Sequence, residues 1–151
     1  MKKTNSAGFT IIELFIIVIL IGVVAVFIIS ELSSVRRDNR NNEREDDISE
    51  LRSSLEYYYG VNGFYPTSDQ LNDPKFRELN LPGFNDEFVK DPLNSSEGKL
   101  TLESQGNAYS YAPSLEEDVF TACDNDKIIC TSYELTATLE GGEVLSRTNF
   151  N

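Results

Sequence analysis

Residues 1–14 read MKKTNSAGFTIIEL, and the apolar run that opens at Phe9 continues as FTIIELFIIVILIGVVAVFII to Ile29. The run is 21 residues long and holds one charge, Glu13. As a helix rising ~1.5 Å per residue it covers roughly 31 Å, about one hydrocarbon core. Lys2 and Lys3 stand before it, and a basic head of this kind stays on the cytoplasmic side, which places everything after Ser30 outside. A removable secretory signal would have a shorter apolar region closed by a small-residue cleavage site. Here Ile28-Ile29-Ser30-Glu31-Leu32 follows instead. A plain signal anchor accounts for length and orientation. It leaves unexplained the Gly8–Phe9 junction at the start of the run and the carboxylate one turn inside it.

Both oddities belong to one pattern: a short basic leader, Gly8, Phe9, then Glu13 at the fifth place of a long apolar helix. MKKTNSAGFTIIEL resembles the class III leader of type IV prepilins, type II secretion pseudopilins and competence pilins. The resemblance implies that a prepilin peptidase cuts after Gly8 and methylates the new amine of Phe9. It also implies a helical homo-oligomeric filament raised by pilus or secretion assembly machinery. The chemistry agrees. A carboxylate in hydrocarbon is costly and is normally paired. Cleavage would create an ammonium on Phe9, four residues before Glu13 and on the same helix face. Glu13 can meet its own chain's amine or that of an axially shifted neighbour. The second pairing would enforce register, because any wrong register leaves a charge unpaired in a low-dielectric core.

No proline occurs before Pro66, so a helix is expected from Phe9 to about Tyr59, roughly 77 Å. Its apolar half is hydrophobic all round, which requires lipid or other helices on every side. Gly22 interrupts it at a cost of roughly 1 kcal/mol relative to Ala. It marks either a place where the helix bends or melts on packing, or a small residue for close helix approach. Residues 36–47 (RRDNRNNEREDD) read as a solvated collar, with Arg36, Arg37 and Arg40 near the headgroup phosphates. Ile48, Leu51, Leu55, Tyr58 and Tyr59 then recur at near-helical spacing, a stripe that should cover a sheet.

Gly60, Gly63 and Pro66 are expected to stop the helix. The run LRSSLEYYYGVNGFYPTSDQL resembles the same stretch of major pseudopilins and many Gram-positive-type pilins, and Lys90-Asp91-Pro92-Leu93 matches the family's short Asp-Pro segment. Period-2 alternation follows. Leu100 and Leu102 are read as one strand, turning at Gly106-Asn107 into Tyr109 and Tyr111. Tyr133, Leu135, Ala137 and Leu139 turn at Gly141-Gly142 into Val144 and Leu145. The expected fold is α+β, the pilin fold: one long N-terminal helix packed on a four-stranded antiparallel sheet. The expected division is a leader at 1–8, a transmembrane or filament-core helix at 9–30, the soluble half of the helix at 31–59 and a globular head at 60–151.

Cys123 and Cys130 lie in an excursion between the hairpins. Outside the cytosol they suit one disulfide, the alternative being two buried free thiols. Acids in the same stretch, Asp118, Asp124 and Asp126 among them, raise a weak calcium candidate, since major pseudopilins hold calcium in a comparable loop. Solvated acids without any cofactor are the default, because too few oxygens stand at recognisable spacing. Asn94-Ser95-Ser96 fits a glycosylation sequon, a pattern common by chance.

The chain has 151 residues, with Lys and Arg totalling 13, Asp and Glu 25, no His and a net charge of −12. So acidic a surface disfavours nucleic acid. Without His, a phosphate-cradling Gly loop or a nucleophile motif, no active site is expected. The expectation is a structural subunit of a type IV pilus-like filament for motility, adhesion or DNA uptake. It would sit in the cytoplasmic membrane with its head outside before assembly, and at the cell surface afterwards. The alternatives are a major pseudopilin of a type II secretion system and an anchored binding domain that never polymerises.

Overall fold

A computed structural model describes residues 10–94, 98–103, 105–115 and 118–150; of Ser30 and residues 118–122 it describes the backbone alone. The chain divides into two compact units, with the boundary between Asp38 and Asn39. One helix, α1 (Ile11–Asn62), supplies the described regular structure of the first unit and continues into the second. It is long and apolar enough to cross a membrane. Its start is capped reciprocally. The Thr10 hydroxyl accepts the Glu13 N–H at 3.3 Å, and the Glu13 carboxylate accepts the Thr10 N–H at 3.4 Å. This is the capping-box arrangement, which satisfies two donors that a helix end leaves without partners. At the other end Gly63, with φ of 78°, takes the left-handed conformation and donates its N–H to the Tyr59 carbonyl at 2.7 Å. The helix therefore outruns the expected end at Tyr59 by three residues and absorbs Gly60, since one glycine in a helix costs less than an early stop.

The second unit is α+β. After α1 come two short helices, α2 (Ser68–Asn72) and α3 (Pro74–Asn80), a 3-10 turn (Asp86–Val89), and strands β1 (Ser110–Leu115), β2 (Asp118–Ala122), β3 (Ser132–Thr138) and β4 (Val144–Thr148). Thr67 and Gln70 make a capping box for α2, and Asp73 with Pro74 opens α3. The sheet runs β2-β1-β3-β4, with antiparallel neighbours. Tyr111 faces Leu135, and Ala137 faces Leu145, so the expected alternation is in register. Tyr58, Tyr65, Tyr109, Tyr111 and Tyr133 are buried with Ile48, Leu51, Leu55, Leu71, Leu135 and Ala137 in one core. Each large side chain in it contributes ~1.5–3 kcal/mol of burial.

Four expectations fail here. The strand expected at Leu100–Leu102 does not form. Thr101 makes an isolated bridge to Ser110, Leu100 is buried, and Leu102 is 64% exposed. The Asn72 side chain takes the strand partner's place, accepting the Leu100 N–H at 2.8 Å and donating to the Leu100 carbonyl at 3.0 Å. The fourth strand of the sheet is instead β2, drawn from the stretch read as an acidic excursion, where Val-Phe-Thr carries strand preference that the flanking acids masked. The solvated collar is the third. Arg44 is fully buried and Asp47 nearly so, because both continue the Ile48–Leu51–Leu55–Tyr58 stripe by one turn. Tyr59, counted on that stripe, is half-exposed and stacks on Tyr65 at 4.6 Å instead.

Candidate assembly surface and the head that carries it

In the first unit every large apolar side chain from Ile11 to Val35 is exposed, from 40% at Ile17 to 77% at Ile11. A helix uncovered on all sides cannot stay so in water; at ~25 cal/mol per Å² the exposed surface demands lipid or other helices. Glu13 is the only charge among residues 11–29. Its carboxylate already has a local partner in Thr10, so the helix start holds it in place. Gly8 and Phe9, the expected processing junction, lie outside the described residues. The helix runs through Gly22 unbroken, and a Cβ added there would meet nothing within 4 Å. Nothing among the described residues requires a glycine at that position.

In the second unit α1 is fastened to the head by charge as well as by apolar packing. Arg44 forks onto Asp91, Nε to Oδ2 at 2.7 Å and Nη2 to Oδ1 at 3.1 Å, with both side chains buried. Bidentate pairing of this kind is among the strongest charge-assisted contacts. The partner carboxylate, with a further contribution from Glu140, raises the Arg44 pKa against the opposing effect of burial. Asp91 belongs to the Asp-Pro segment and accepts the Leu93 N–H at 2.8 Å, so Arg44 fixes that turn to the helix. Arg40 forks onto Glu140, with Nη2 to Oε2 at 2.8 Å, and its hydrogen bond holds the Glu140 carboxyl below the usual range. The Asn41 side chain brackets the Glu140 backbone, accepting its N–H at 2.8 Å. Three successive polar residues of one helix face thus hold the end of β3.

Asp47 accepts the Tyr109 hydroxyl at 2.7 Å in the same buried seam. Desolvation pushes its carboxyl up to about 6, the Tyr109 bond opposes this, and Glu43, Asp46 and Asp91 add repulsion. About two and a half turns further along α1, Glu56 gathers three elements. It accepts Tyr133 Oη at 2.8 Å, Tyr65 Oη at 3.2 Å and the Phe150 N–H at 3.3 Å. Sequence reading missed Arg44, Asp47 and Glu56 as structural residues. For Arg44 and Asp47 the signal was available: positions 44, 47, 48, 51, 55 and 58 keep helical spacing whatever their polarity.

Cys123 and Cys130 form a disulfide. It closes a loop that reaches back to the helix exit. Tyr65 N–H donates to the Cys130 carbonyl at 2.8 Å, and Asn125 Nδ2 donates to the Tyr65 carbonyl at 2.8 Å. Asn125, at φ of 61°, takes the left-handed conformation that asparagine tolerates best after glycine. Of the residues raised for calcium, Asp124 is engaged by its own loop. Asp124 Oδ1 accepts N–H donors from Asp126, Lys127 and Ile128 at 3.0, 2.8 and 3.1 Å, and these backbone bonds lower its pKa. Among the described residues no three ligating side chains gather, and the side chain of Asp118 lies outside them.

Known proteins resemble this sequence along most of its length. The chain is similar to the type II secretion system core protein G of Vibrio cholerae, 28% identical over 127 residues, covering 80% of this chain and 82% of that protein. It is similar to the protein of the same name from Escherichia coli K12, 30% identical over 110 residues, 72% of this chain and 74% of that one. A third, from Pseudomonas aeruginosa, is 23% identical over 120 residues, 74% and 76% of the two chains. No family model matches, and no solved structure matches.

Proposed function

The chain belongs to the pilin and pseudopilin family that includes type II secretion system core protein G, and from that premise we propose that it is the major pseudopilin of a type II secretion system. It is a pilin-like filament subunit and not an enzyme. The observation that supports the secretion assignment over the wider pilus reading is that relatives bearing the core protein G name align across most of both chains. In this role the helix from Phe9 onward holds the subunit in the cytoplasmic membrane, with the head outside. A prepilin peptidase removes residues 1–8 and methylates Phe9. The assembly machinery then draws the helix into a bundle, where the exposed surface of Ile11–Val35 is covered by copies of itself. Glu13, placed by Thr10 at the helix start, pairs with a Phe9 ammonium and sets the stagger.

One observation favours the second reading, a surface pilus for motility, adhesion or DNA uptake. The C-terminal loop is closed by a disulfide, and among the described residues no three ligating side chains gather. Fractionation separates the two. A secretion pseudopilin stays in the envelope at natural expression, and its deletion traps secreted enzymes inside the cell. Long fibres sheared into the supernatant, with secretion intact in the deletion, would assign it to a pilus. The mature N-terminus, read by mass spectrometry, should be N-methyl-phenylalanine at residue 9. A chain still carrying residues 1–8 in assembled material would reject the processing step.

A further inference from the structure

Four arginines fall within nine residues of α1: Arg36, Arg37, Arg40 and Arg44. The structure sorts them into two pairs. Arg44 is buried on Asp91, and Arg40 is forked onto Glu140. Among the described residues Arg36 has no ion pair. Arg37 has only Asp38, at 3.6 Å with the two side chains 52% and 62% exposed, a solvated contact of little strength. Sequence alone grouped Arg40 with the outward-facing cations; its carboxylate partner removes it.

Arg36 and Arg37 stand at a defined level. The apolar run ends at Ile29, and Leu32 and Val35 continue exposed apolar surface, at 49% and 51%. Arg36 is seven residues past Ile29, roughly 10 Å along the helix. A bilayer's polar layer is about 5–8 Å deep on each side of its hydrocarbon, and a long arginine stem reaches back over the remaining gap. Planar guanidinium forks suit phosphate oxygens. The nearby acids, Glu31 and Asp38, are exposed and leave the guanidinium groups accessible.

We propose that Arg36 and Arg37 bind the phosphates of anionic phospholipids in the leaflet that faces the head, and so hold the unassembled subunit at one depth until it is extracted. The proposal rests on the membrane anchorage stated above. The full chain is reconstituted into phosphatidylcholine vesicles containing phosphatidylglycerol, extracted in mild detergent, and its retained lipid is counted by native mass spectrometry. Wild type should retain phosphatidylglycerol over phosphatidylcholine. The double variant Arg36→Gln/Arg37→Gln should lose roughly tenfold of that preference, while Arg147→Gln, an exposed arginine of the head, keeps it. Arg36→Lys/Arg37→Lys should keep part of the preference, since charge survives and the fork does not. Equal preference in wild type and the double Gln variant would overturn the proposal. So would displacement of the lipid by excess inorganic phosphate, which would mark a free-anion site. Wild-type chain recovered in the aqueous fraction would instead reject the anchorage itself, and that outcome is read before any lipid is counted.

Discussion

At the scale of single residues the head depends on how its buried charges are balanced. Arg44 has Asp91, and Arg40 has Glu140; among the described residues Asp47 has no cation. Its folded pKa, about 6, lies above its unfolded value near 3.8. A raised carboxyl contributes most below the unfolded pKa, and that contribution is lost as pH climbs through the folded one. Asp47→Asn keeps an acceptor for Tyr109 and removes the buried charge. It should therefore raise the unfolding free energy at pH 7.5 relative to wild type, with the gain shrinking to nothing near pH 4, as urea titrations across that range would read. Glu140 runs the other way, since its lowered pKa means that its contribution is present at neutral pH and is lost on acidification. Arg44→Leu leaves Asp91 buried without its partner and should cost about 3–5 kcal/mol. In a domain of this size that is a fall in Tm of more than ~10 °C. A scan showing no change would mean that the pair is idle.

At the scale of elements the disulfide loop and the helix exit behave as one piece. Cys130 presents its carbonyl to Tyr65 and its N–H to Asn125, and Asn125 returns to the Tyr65 carbonyl. Reduction, or Cys123→Ser with Cys130→Ser, should destabilise the head by roughly 2–3 kcal/mol, as short-loop crosslinks do. It should also speed hydrogen exchange at the Tyr65 amide, a readout that a merely local surface clasp would leave alone. Because the Asp124 carboxylate is engaged by its own backbone, calcium and a chelator should give the same limited-proteolysis pattern. Calcium-dependent protection would restore a metal site in this loop. The element that sequence reading assigned incorrectly, the strand at Leu100–Leu102, was displaced by a side chain, Asn72, whose amide reproduces both hydrogen bonds of a strand neighbour.

At the scale of the whole molecule two separable tasks share one chain. The unit from Asn39 on carries the buried core, while the apolar helix of the first unit has nothing within its unit to bury it. Changes in one task should leave the other intact. Glu13→Val should insert and keep the head's Tm within experimental error, yet fail to form filaments that can be seen by electron microscopy or trapped by crosslinking neighbouring subunits. Filaments at wild-type yield from that variant would remove Glu13 from the assembly mechanism. A head variant such as Arg44→Leu should show the converse at permissive temperature, with anchorage intact and a less stable head.

The apolar N-terminal helix, long enough to cross a membrane, was legible in residues 11–29, because it depends on a local property, the length of an uninterrupted apolar run. The apolar stripe at Ile48, Leu51, Leu55 and Tyr58 and the strands at 132–138 and 144–148 were legible for the same reason, since periodicity is a property of neighbouring residues. Only the tertiary structure decided which of the collar's charges are wet. The spacing of Arg44 and Asp47 matches the core stripe, but polarity argues for water, and the conflict is settled by partners 47 to 96 residues away in Asp91, Tyr109 and Glu140. Burial of a charge is a property of the pair, so one member's sequence position cannot reveal it.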